Sequence, residues 1–212
     1  MAGSDRFKIF KNVLLFENLP EENIKRIIDL SIEKTFQTGD ILIEQDTLAN
    51  NAYIICSGSV RAYRISEEGD EITLGVLGPG EIVGEMSLLD DEPRSASVAA
   101  LQETVVLIIN RGRFVSLLKE FPDLTISLLR TLSLRIRTIN DHLEDIVSKN
   151  LYDRTWKMLL SLSKYFPEKN IALSQEELAE IIGATRARVT EVLNRLKSDG
   201  KITLSHREIK LN

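Results

Sequence analysis

The sequence is poor in the residues that build redox and metal chemistry: its 212 residues include one cysteine and two histidines. A lone Cys56 excludes an internal disulfide, a cysteine-based metal centre and an iron–sulfur cluster. His142 and His206 lie far apart in sequence and no nucleophile elbow is present, so no catalytic residue, no metal site and no enzyme activity are expected. Long apolar runs are missing too. The longest, around residues 105–109, is strand-sized and far short of a bilayer span. The first eleven residues carry Arg6, Lys8 and Lys11 without an apolar signal core. A reducing cytoplasm is the expected location. A strong charge of one sign is also absent, since the net charge is −5. Its distribution is uneven: residues 1–150 hold 16 basic against 24 acidic side chains, and residues 151–212 hold 11 against 8. A positive C-terminal third suits nucleic-acid contact, which needs a local basic face rather than a basic protein.

What is present divides into three segments. Residues 5–32 read as short helices, one opening at Pro20-Glu21-Glu22 with Ile24, Ile27, Ile28 and Leu30 behind it. Over residues 34–110 the period changes. Short β-rich runs at 41–43, 53–56, 60–65, 72–77, 96–100 and 105–109 alternate with turns at Gly39, Gly58, Gly69 and Gly80, the pattern of a sandwich or barrel-like roll. From Phe114 the helical period returns. Leu129, Leu132, Ile136, Ile139, Leu143 and Ile146 follow a 3-4-3-4-3 spacing flanked by Arg130, Arg135, Arg137, Asp141, Glu144 and Asp145. So narrow a stripe suits pairing with a second copy of the helix, and a parallel homodimer is expected; a long helix lying on its own domain is the alternative. The last segment starts with a helix over 153–166 that buries Trp156, Leu159, Leu160 and Tyr165. Ser174, three residues before Glu177, reads as a capping box opening a helix over 175–182. Gly183-Ala184-Thr185 is a tight turn, residues 186–198 form a second helix, and 201–204 with 208–211 form a two-stranded wing.

Two constellations carry chemistry. In the first, Gly84 permits close backbone approach, Met86 and Ser87 offer backbone N–H groups, and Glu85 suits sugar hydroxyls. Arg94 supplies a planar fork for a phosphate and Ser95 a hydroxyl donor, with a short helix or turn over 88–93 between them and Leu88 and Leu89 filling the apolar floor. Spacing alone leaves open a plain surface ion pair between Glu85 and Arg94. In the second, the helix–turn–helix presents Thr185, Arg186, Arg188, Thr190, Glu191 and Asn194 near the start of its second helix, residue types that reach bases and phosphates in a major groove. Lys197, Lys201, Arg207 and Lys210 stand within reach of backbone phosphates, and a helical hairpin with a solvated face is the alternative.

The string Gly84-Glu85-x-Ser87-Leu88-Leu89, followed by Pro93-Arg94-Ser95-Ala96-x-Val98, resembles the phosphate-binding cassette of cyclic-nucleotide-binding domains. With the winged segment behind it, nearly the whole chain resembles the Crp/Fnr regulators. The resemblance implies an α+β fold: an N-terminal β-roll (a double-stranded β-helix of cyclic-nucleotide-binding type) over residues 1–120, a dimerisation helix over 121–150, and a winged helix-turn-helix over 151–212. It implies that Glu85 holds a ribose hydroxyl, that Arg94 and Ser95 hold a cyclic phosphate, and that Gly84, Met86 and Ser87 add backbone or hydroxyl contacts. Cyclic AMP is the expected effector, with no further cofactor. The implied partners are double-stranded DNA, a second copy of the chain and RNA polymerase, with no membrane. Four positions depart from the family pattern. The adenine-contacting Thr-Ser pair of cyclic-AMP-responsive members falls on Ile139 and Asn140, so Asn140 alone could read a base edge. Arg186 matches the leading recognition arginine, whereas Ala187 replaces a base-reading Glu and Glu191 replaces an Arg. The operator is therefore expected to differ from that of the cyclic-AMP receptor protein, with Arg188 as a substitute reader. Haem- and iron–sulfur-sensing branches are not matched, because both histidines lie outside the roll and Cys56 reads as a buried strand residue. Two further function classes stay open: a cyclic-nucleotide module whose C-terminal segment contacts protein, and a constitutive DNA binder with a vestigial pocket.

Overall fold

The computed structural model describes residues 14–48, 50–69, 71–205 and 207–212. The readings placed on residues 1–13 and on His206 lie outside the described residues. Among the described residues, contacts group the chain into two units: one from Leu14 to Arg64 with Leu77–Arg137, the other Ile65–Val76 with Thr138–Asn212.

Two four-stranded antiparallel sheets form a roll. Strands β1 (Ile32–Phe36), β8 (Thr104–Asn110), β3 (Asn51–Ser57) and β6 (Ile82–Val83) make one sheet. Strands β2 (Ile41–Ile43), β7 (Ser97–Ala100), β4 (Val60–Ile65) and β5 (Glu71–Leu77) make the other. All of these strands but β5 and the end of β4 fall in the first unit. Successive side chains of a strand point to opposite faces, and here both faces of the first sheet are used. On β3, Ala52, Ile54 and Cys56 face a helical layer, and Ile55 faces the second sheet. On β8, Leu107 and Ile109 take the helical side and Val106 the inter-sheet side. The helical layer consists of a 3₁₀ turn (Leu14–Phe16), α1 (Glu21–Asp29), α2 (Met86–Leu89), α3 (Arg111–Glu120) and the start of α4 (Pro122–Ser148), contributing Phe16, Ile24, Ile27, Leu88, Phe114, Leu117, Leu124 and Leu128. Gly58 shows why the roll needs glycine at that corner: its φ is +83° and an added Cβ would lie 2.4 Å from the carbonyl oxygen of Glu103.

In the second unit α5 (Leu151–Leu162), α6 (Gln175–Ile182) and α7 (Arg186–Ser198) share a core of Leu159, Leu162, Leu178, Ile181, Val189, Leu193 and Leu196. The Ser174 capping box is formed, with Glu177 N donating to Ser174 Oγ at 3.1 Å and Ser174 N to Glu177 Oε2 at 2.6 Å. Gly183 ends α6 with φ +69°. The wing departs from expectation: β10 (Ile202–Ser205) and β11 (Glu208–Leu211) are joined by a third strand, β9 (Asn170–Ile171). The reading of α5 also needs correction, since Leu160 is 44% exposed while Thr155, Leu159 and Leu162 are buried. No described helix is long and apolar enough to cross a membrane. Among the described residues no group of three or more His, Cys, Asp or Glu side chains is placed to hold a metal ion.

Candidate functional site

Strand β6 pairs with β3 through Ile82 and Val83, and the chain then turns at Gly84 into α2. Gly84 has φ +77°, and a Cβ there would sit 2.4 Å from Arg94 Nη1 and 2.8 Å from Ile43 Cδ1. Only glycine allows both the left-handed turn and the approach of the guanidinium. Arg94 is 5% exposed and lies among carbonyls and a hydroxyl: Nη1 donates to Gly84 O at 2.6 Å and to Ser87 Oγ at 3.4 Å, and Nη2 donates to Asn51 O. Its backbone is held by the loop over residues 44–48, with Arg94 N donating to Thr47 O and Asp46 N to Arg94 O, each at 2.9 Å. Burial pushes the Arg94 pKa down, while the nearby Tyr53 and Glu85 oppose the shift.

Glu85 is 2% exposed and does not pair with Arg94. Its carboxylate accepts from Arg135 Nη1 of α4 at 2.6 Å, and Arg135 Nη2 donates to Ile82 O. Burial raises the Glu85 pKa above the ordinary carboxylate range against the pull of Arg135. Arg135 Nε is buried with no acceptor among the described residues. The simple surface Glu85–Arg94 ion pair is therefore not what forms; two buried groups of opposite sign stand in one corner with separate partners. Gly84, Glu85, Met86, Ser87, Arg94 and Ser95 come together there. Ser87 is buried, Ser95 is exposed with Oγ 3.9 Å from Met86 Sδ, and Met86 is itself half-exposed. Two details differ from the sequence reading: the short helix is Met86–Leu89, starting two residues earlier than the expected 88–93 segment, and only Leu88 belongs to the apolar floor, Leu89 being 44% exposed. Asn140 is exposed on α4 and belongs to the second unit.

On α7, Val189, Leu193 and Leu196 are buried, while Thr185, Arg186, Arg188, Glu191 and Asn194 are exposed. Arg186 lies 3.6 Å from Glu176 and Arg207 lies 3.3 Å from Glu177, both surface pairs. The Thr190 hydroxyl is engaged within the domain, 2.6 Å from Gln175 Oε1 and 2.9 Å from Arg186 O.

Residues 33–121 match the model of the cyclic nucleotide-binding domain, and residues 153–212 match the Crp-like helix-turn-helix domain. The Cyclic AMP receptor protein of Thermus thermophilus is 31% identical over 190 residues, covering 90% of this chain and 88% of its own. The chain belongs to the Crp/Fnr family of transcription regulators. The CRP-like cAMP-activated global transcriptional regulator of Mycobacterium tuberculosis is 29% identical over 82% of this chain and 81% of its own. Among solved structures, the Thermus thermophilus catabolite activator protein (TM-score 0.57, 30% identity) covers 94% of this chain and 93% of its own. The c-di-GMP responsive global regulator of Xanthomonas campestris (TM-score 0.77, 24% identity) covers 91% and 99% and shows the shared fold.

Arg135 is the site residue that sequence reasoning missed in this Crp/Fnr chain. In the sequence it stands only as a polar neighbour of the α4 seam. Nothing local announces its role, because its partner Glu85 is fifty positions away. The seam itself is largely uncovered in the single chain: Leu129, Ile136, Ile139, Leu143 and Ile146 are 46–60% exposed. Leu132 packs against the core of the roll.

Proposed function

We propose that this Crp/Fnr regulator is switched by a cyclic nucleotide, with cyclic AMP the preferred effector, seated at Gly84, Glu85, Met86, Ser87, Arg94 and Ser95. The observation that carries this reading is the charge of the corner. Glu85 is paired with Arg135, and among the described residues Arg94 has carbonyls and a hydroxyl but no carboxylate at ion-pair distance, so the cluster of two arginines and one glutamate carries one net positive charge. A buried charge calls for a counter-ion, and a cyclic phosphodiester carries one negative charge. Arg94 and Ser95 would hold the phosphate and Glu85 the ribose.

The same pair suggests how occupancy is felt. Glu85 belongs to the cassette and Arg135 to α4, so an effector whose sugar hydroxyl donates to Glu85 also changes what holds α4. The uncovered seam of α4 supports a parallel homodimer through Leu129, Leu132, Ile136, Ile139, Leu143 and Ile146. That would present two α7 helices, with Thr185, Arg186, Arg188, Thr190 and Asn194 toward half-sites about one helical turn apart. In this reading residues 1–120 sense, 121–150 dimerise and 151–212 read DNA, in the cytoplasm and with RNA polymerase as a partner.

Calorimetric titration with cyclic AMP, cyclic GMP and cyclic di-GMP tests the effector. Saturable binding of cyclic AMP, tighter than the other two and lost in Arg94→Ala, supports the reading; heat from none of the three, or equal binding by Arg94→Ala, overturns it.

A further inference from the structure

We propose that Glu191 sets the sequence preference of the DNA-reading helix by accepting a hydrogen bond from the N4 amino group of a cytosine. This rests on the DNA-binding reading and names what the α7 surface selects.

At about 100° per residue of α-helix, the buried Val189, Leu193 and Leu196 define the inner stripe of α7. Ala187, Glu191 and Asn194, spaced by four and three, form the stripe directly opposite, and all three are exposed. Arg186 and Thr190 lie on one flank and Arg188 on the other. Glu191 is thus at the centre of the outer face, one turn beyond a residue whose side chain ends at Cβ, so Ala187 leaves the approach to the carboxylate clear. Nothing inside the protein uses that carboxylate: among the described residues it makes no ion pair or hydrogen bond. The nearest cation one turn on, Arg195, is stacked over Tyr152 with its guanidinium carbon 4.9 Å from the ring centroid.

A free carboxylate on a face that enters a phosphate-lined groove raises the energy of every complex unless a base donor meets it. Major-groove chemistry leaves one good partner. Guanine presents acceptors at O6 and N7, thymine an acceptor at O4, and adenine sets its N7 acceptor beside the N6 donor; cytosine alone offers a donor with no acceptor on the same base edge. Glu191 would therefore reject three bases and accept the fourth.

The test is selection from a pool of random duplexes by the full-length protein in saturating cyclic AMP, run for the unsubstituted chain, Glu191→Ala and Glu191→Gln. Glu191 is exposed, so neither substitution disturbs the core, and matched circular dichroism spectra verify this. The expected result is a cytosine at one fixed position of each half-site. Glu191→Ala should lose that preference by roughly tenfold while binding random duplex more tightly. Glu191→Gln should shift the preference toward adenine, which an amide meets at N6 and N7 together. An identical motif from all three proteins overturns the inference and leaves DNA binding intact. A chain that selects no motif, with duplex affinity indifferent to salt, overturns the DNA-binding reading as well.

Discussion

At the scale of single residues, the site depends on Glu85 held by Arg135 and on Arg94 held by two carbonyls and the Ser87 hydroxyl. Arg135→Met leaves the Glu85 carboxylate buried without its cation, and breaking such a pair costs about 3 kcal/mol. Urea unfolding should register that loss, and Glu85→Gln added to Arg135→Met should recover most of it. Gly84→Ala acts differently. The new methyl occupies the position of Arg94 Nη1, so the guanidinium must leave its carbonyl partners. Cyclic AMP affinity should fall by roughly tenfold or more, as read by calorimetry. The cassette was legible as a string because its residues are close in sequence. Arg135 was not, since α4 meets Glu85 only once the roll has folded. Leu89 was misplaced because it stands beside Leu88 in sequence but one helical step further round α2, on the outer side.

At the scale of elements, strands with alternating or continuous apolar character were readable and the short polar ones were not. Strand β1 buries only Phe36 among Ile32-Glu33-Lys34-Thr35-Phe36, and β6 and β9 are two residues each, too short to show a period. The capping box and Gly183 marked the helix–turn–helix to the residue, because caps and left-handed turns are local chemistry. Helix α4 carries the next two predictions. Leu143→Asp places a carboxylate in the uncovered seam, and sedimentation velocity should then report a monomer while the thermal transition of the roll is unchanged. Further along, Asp145 accepts from Lys149 at 2.7 Å and from Lys157 of α5. These hydrogen bonds hold its carboxyl below the ordinary carboxylate range. A carboxylate with a depressed folded-state pKa contributes stability above its unfolded value, about 4, and loses it as pH falls through the folded value. Asp145→Asn should therefore unfold more readily than the unsubstituted chain at pH 7, and the difference in urea midpoint should shrink as pH falls below the unfolded carboxylate value, about 4.

At the scale of the whole molecule, the net charge of −5 conceals an acidic sensing portion and a basic reading portion. Shared ancestry with cyclic-AMP-responsive regulators fits a chain in which one portion takes a small anion and the other a large one. Coupling between effector and DNA joins sites that composition and periodicity treat separately. Fluorescence anisotropy of a labelled duplex, recovered by selection with the unsubstituted protein, measures it directly as cyclic AMP is titrated in. Coupling free energies between sites correspond to about 5- to 150-fold in affinity. Cyclic AMP should change duplex affinity at least about fivefold in the unsubstituted chain and have no effect on Arg94→Ala. Equal affinity with and without cyclic AMP, or an unchanged response in Arg94→Ala, would contradict the coupling.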